Sequence, residues 1–316
     1  MPAFDQLLAW LPWLSPLADQ VWISLPFLIL TSLATQGLVC LSARRLSRLK
    51  KRSSYDKGAR QILLVASCVG LLLVVAVKGL SFWYSGRWFP EDMLSFVWEM
   101  VWIGLCFCVI VLNLHFLLWK KLAKHEILDH LFASTSLLFG VMVAVAALVL
   151  MRLWALGGTV QTLADTNTLL GLLPTPEHVA FVSLLVFLPL FLVMPYIFAS
   201  LAFLVLRNVH DFGRDHYTMV TLWTTRRAFW LGLLIVFVLG GCFGFRLYGQ
   251  WQAGTLVLLD WVEEFVLLGL WLFASLIWGG ISQSTVPLRY KVLMVFAAIL
   301  AFASCPLLVD FWLRAA

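Results

Sequence analysis

The chain has 316 residues, of which 62% are hydrophobic and only 12% charged, with 16 Trp among them; its mean hydropathy is +0.96. Soluble domains carry about 25% charged residues, so no domain-sized stretch of this chain is polar enough to stand in water. Disordered, nucleic-acid-binding and soluble-enzyme classes are excluded, and an all-α integral membrane protein is expected.

The first twenty residues, MPAFDQLLAWLPWLSPLADQ, have no basic leader and no small-residue cleavage site, and read as an interfacial segment. Apolar runs able to cross about 30 Å of hydrocarbon then follow at about 22–42, 61–84, 94–118, 128–151, 178–206, 228–248, 255–278 and 291–310, which predicts eight transmembrane helices. The connections are too short for a soluble domain; the longest runs over about 152–177. All six cysteines lie inside apolar runs without C-x-x-C spacing, so packing is expected of them rather than metal binding or disulfides.

Charge placement sets the orientation. One set of alternate connections takes the run from Arg44 to Arg60, then Lys120, Lys121 and Lys124, then Arg207, Arg214, Arg226 and Arg227, then Arg289 and Lys291. The other set has Arg87, Arg152, Arg246 and Arg314. Positive charge is retained on the cytoplasmic side, so both termini are expected on the periplasmic side of a bacterial inner membrane.

The two halves of the chain also match. LPFLILTSLATQG from Leu25 aligns with LPLFLVMPYIFAS from Leu188, which sets Pro26 against Pro189. VWEMVWIGL aligns with VEEFVLLGL, which sets Glu99 against Glu264 and Gly104 against Gly269. Four helices per unit make the repeats parallel in the membrane. Two tandem four-helix bundles are therefore expected, over residues 1–157 and 158–316.

Charges inside helices mark the candidate site, because each costs about 2.5–3.5 kcal/mol near the bilayer centre. Lys78 lies about 9 Å short of the outer end of the second helix, and Glu99 about 8 Å below the start of the third. Matching depth on adjacent antiparallel helices predicts a Lys78–Glu99 pair; the alternative is a snorkelling Lys78 and a Glu99 that reaches headgroup water. In the second repeat, Asp260, Glu263 and Glu264 open the seventh helix, Arg246 closes the sixth, Arg152 ends the fourth and Asp310 the eighth. Such a layer of titratable groups could form a polar pocket that binds a quinol headgroup and takes up its protons. His115 and His130 fall at similar depth and could ligate a b-type haem, but no His lies in mid-helix, so interfacial histidine is the simpler expectation. No HExxH, Walker-type loop, DxxxD or G-x-S-x-G motif occurs.

With its Pro-led first helix (PFLILTSLATQG), LSFVWEMVWIG around Glu99, GVMVAVAALVLMRLW with Arg152 and a fifth helix through Pro195, the chain resembles the membrane anchor subunit of dimethyl sulfoxide reductase. That anchor belongs to the wider NrfD and polysulfide-reductase group. In that family an acidic residue at the Glu99 position is associated with menaquinol binding. The resemblance thus implies a non-catalytic anchor that oxidises menaquinol, with Glu99 the best single candidate; Lys78, Arg152, Glu263 and Glu264 join it as quinol-binding or proton-relay candidates from their place in the titratable layer. It also implies an iron-sulfur subunit and a molybdopterin catalytic subunit as partners, and no haem or metal in this chain. Where the family has a His-Leu-Gly setting near the end of the second helix, this sequence reads VKGL with Lys78. Two other classes stay open: a b-type cytochrome using His115 or His130, and a small-molecule transporter with a central site at broken helices.

Overall fold

The computed structural model describes residues 35–84, 92–155, 179–210, 212–254 and 261–314. Every regular element among them is helical. We label the long helices α1 (Gln36–Lys50), α2 (Ser53–Tyr84), α3 (Asp92–Leu117), α4 (Glu126–Ala155), α5 (Val179–Val209), α6 (Arg214–Gln252), α7 (Val262–Gln283) and α8 (Lys291–Arg314). Single turns at Trp119–Leu122 and Pro287–Tyr290 lead into α4 and α8.

Among the described residues, seven stretches, on α2 to α8, are long and apolar enough to cross a membrane. The expected first span begins before residue 35, outside the described residues; α1 covers only its end. The large apolar side chains left uncovered support a lipid environment: Leu72, Val75, Phe237, Phe245 and Val292 are all exposed on helix surfaces, an arrangement water would penalise. This is a multi-pass membrane protein.

Helix ends follow local chemistry. α1 stops at Lys51, which adopts the left-handed conformation at φ 51° and lets the Arg52 N–H reach back to the Ser47 carbonyl at 3.1 Å. The chain thereby reverses into α2 within two residues. α6 differs most from expectation. It begins at Arg214 rather than near residue 228, so Arg226 and Arg227 lie within a helix and not in a connection. Charge inside the expected loop hid a continuous helix, whose first turns pack against the protein. α5 carries Pro189 as well as Pro195, and α8 carries Pro306.

Packing closes two cycles. α1 packs on α2, α2 on α3, α3 on α4 and α4 back on α1; α5, α6, α7 and α8 repeat the same order. α5 also touches α1 and α2, and it is the most buried of the spans. The main core runs through the second cycle into the α1–α2 face of the first, while Val101, Leu105, Val109 and Val143 form a smaller cluster between α3 and α4.

Candidate functional site

The turn-free run of α2 carries Lys78 to the end of the first cycle where α3 begins. There the Lys78 ammonium donates to Glu99 Oε1. It also lies 4.7 Å from the centre of the Trp102 ring, one turn further along α3, whose indole N–H is fixed on the Val74 carbonyl at 3.1 Å. Cation, carboxylate and indole thus form one unit, and the pairing prevails over independent snorkelling. The two side chains keep 32% and 40% of their surface, so a ligand can reach both.

The second cycle has a counterpart. Arg246 at the end of α6 donates to Glu264 Oε1 at 3.4 Å, and its guanidinium lies 5.0 Å from the Trp261 ring. The Trp261 N–H is held by Gln250 Oε1 at 2.8 Å. This copy is more closed: Glu264 is buried, and its Oε2 has no hydrogen-bond partner. Glu263, the preceding residue, is only half-buried and faces a different side of α7. Arg152 lies in the last turns of α4 and Asp310 in α8, but the side chains of both, and all of Asp260, lie outside the described part.

At the opposite end of the first cycle the structure assembles a group around Arg44, which the charge count places in a connection. Arg44 is 5% exposed. Its Nη1 meets Asp129 Oδ1 at 2.6 Å and its Nε lies 3.6 Å from Asp56 Oδ1. A further bond runs from Nη2 to the Trp119 carbonyl at 2.9 Å, and the guanidinium stacks 3.6 Å from the Trp119 ring centre. His115 Nε2 shares Asp129 Oδ1 at 2.9 Å. Arg44 therefore ties α1 to α2, to α4 and to the turn at Trp119, and Asp129 extends the group to His115 on α3. A signal was present: Arg44 continues the spacing of Gly37 and Cys40, the face of α1 that is buried, and Asp56 and Asp129 are acids in basic surroundings.

His130 stands apart from this group. It is exposed beside Glu126, while His115 is buried on Asp129, so the two histidines do not share one interior site. Of the cysteines, Cys40, Cys108 and Cys305 are buried, Cys68 is exposed, and all six are free thiols.

The two cycles are joined by polar contacts. Gln36 donates to the Pro195 carbonyl at 3.3 Å, and Ser42 bonds the Tyr196 hydroxyl at 3.0 Å. Gln61 bridges the Tyr217 hydroxyl and His216 Nε2, each at 3.1 Å.

Fold and charge together define a polytopic helical membrane protein with a cation–carboxylate–indole unit in each cycle. No family model, no curated protein and no solved structure matches the chain.

Proposed function

We propose that the chain is the quinol-binding membrane anchor of a respiratory molybdopterin oxidoreductase of the dimethyl sulfoxide reductase kind. It has eight spans in two tandem four-helix bundles and both termini on the periplasmic side of a bacterial inner membrane. It oxidises menaquinol and passes the electrons to an iron-sulfur subunit, which feeds a molybdopterin catalytic subunit. The observation that carries this reading is the half-exposed Lys78–Glu99 pair beside Trp102.

The chemistry of a quinol suits that unit. A carboxylate can accept the hydrogen bond of a quinol hydroxyl and then its proton as the ring is oxidised. The indole offers an apolar face to the flat ring, and Lys78 keeps the carboxylate paired until the ligand arrives. Arg152, Glu263 and Glu264 complete the titratable layer in this reading, with Glu264 in the more closed second copy.

The experiment is Glu99→Gln in the assembled complex. Menaquinol-dependent reduction of the terminal acceptor is expected to fall about 100-fold or more, while turnover with an artificial electron donor that feeds the catalytic subunit directly stays unchanged. Wild-type turnover with menaquinol would remove Glu99 from the mechanism.

A further inference from the structure

α7 carries four buried polar atoms that have no hydrogen-bond partner: Glu264 Oε2, Trp271 Nε1, Ser275 Oγ and Trp278 Nε1. Their residues are 5%, 1%, 0% and 2% exposed, respectively. At about 100° per residue the spacings between them keep all four within about 60° of one helix face, and they cover about 21 Å of its length. They form a line through the membrane-spanning part of the helix rather than a scatter.

That line faces α6. Arg246 on α6 bonds Glu264, and a side chain at Gly232 would collide with Ser275 Oγ. Only glycine at residue 232 leaves the hydroxyl its place. Thr221 and Thr225 lie 11 and 7 residues before Gly232, on the same face of α6, and both are fully buried; Thr221 Oγ1 is also without a partner. On α7 the seam therefore carries, in order, a carboxylate, an indole N–H, a hydroxyl and a second indole N–H, set against the buried Ala228, Gly232, Ile235 and Leu239 of α6.

Buried polar groups are satisfied by protein or by ordered water. In hydrocarbon surroundings the cost of leaving a whole row unsatisfied is highest. Water is the ligand that can both donate and accept along such a row. We propose that the α6–α7 seam holds internal water molecules along α7 from Glu264 past Trp271 and Ser275 to Trp278. These waters give the otherwise buried Glu264 carboxylate a route for proton exchange through the protein. The inference does not depend on what ligand binds near Glu99.

Indole N–H exchange reads these waters directly. The full chain is labelled with ¹⁵N-Trp in nanodiscs and transferred to D₂O, with Trp271 and Trp278 assigned by Trp→Phe variants. Water along the seam makes both indole protons exchange within minutes; protection of both for a day would overturn the proposal. The isosteric pair Ser275→Val and Ser275→Thr tests continuity. Val is expected to slow exchange at Trp271 or Trp278 at least tenfold while Thr leaves both fast. Equal, fast exchange at both tryptophans in the Val variant would show that they are not linked through Ser275, and would also overturn it. If the Val variant fails to fold, the wild-type rates decide alone.

Discussion

Glu99 and Arg44 are both charged residues within helices, but their surroundings differ. Glu99 stays partly open and has one cation for a partner, so it can exchange that partner for a ligand. Arg44 is buried among Asp129, Asp56, the Trp119 ring and a carbonyl. Its task is to hold helix ends together. Removing one member of a buried pair strands the other charge, so Asp129→Asn should cost about 3–5 kcal/mol, measured as unfolding free energy in mixed micelles. The double change Arg44→Met, Asp129→Leu should recover part of that loss, because it removes the buried pair together, and the remainder should reflect Asp56 and His115, which lose these partners. Sequence reasoning could pair Lys78 with Glu99 because depth along two adjacent helices fixes which residues meet. It could not assemble Arg44, Asp56, His115 and Asp129, since that group depends on which of several basic residues near a helix end turns inward. Only the continuation of the Gly37–Cys40 face distinguishes Arg44 from Arg45 and Arg48.

Helices were legible where hydrophobic runs are uninterrupted and obscured where charge enters a helix that is still buried by protein. α4 and α8 lie close to their expected limits, whereas α6 extends well before its apolar run. Hydropathy measures preference for lipid, and the first turns of α6 are buried against protein through His216, Tyr217, Val220 and Thr224. Close approach of helices is another feature that composition does not reveal. A Cβ at Gly37 on α1 would lie 2.5 Å from the Ala133 carbonyl oxygen on α4, and a backbone atom cannot move aside as a side chain can. Small residues permit this proximity in membranes. Gly37→Val should therefore force α1 from α4 and lower stability by about 1–3 kcal/mol, with a fall in the thermal midpoint of the purified protein as the readout. Gly37→Ala should give a smaller loss in the same direction.

Across the whole molecule the same order of packing occurs twice, and each cycle places a cation from its second helix against a carboxylate from its third. The copies differ in access: Lys78–Glu99 is open, whereas Glu264 is sealed and adjoins the polar seam between α6 and α7. The contacts through Gln36, Ser42 and Gln61 keep the two cycles in register. An open unit in one half and a closed one in the other fit the proposal of a single ligand site at Glu99. The most direct measurement is the affinity of the purified full chain for a soluble menaquinol analogue, followed by quenching of its tryptophan fluorescence, in wild type and in Glu99→Gln. Wild type should bind, and Glu99→Gln should raise the Kd at least about tenfold, the loss of one charge-assisted hydrogen bond. An unchanged Kd in Glu99→Gln, or no binding by the wild type, would contradict a quinol site at Glu99.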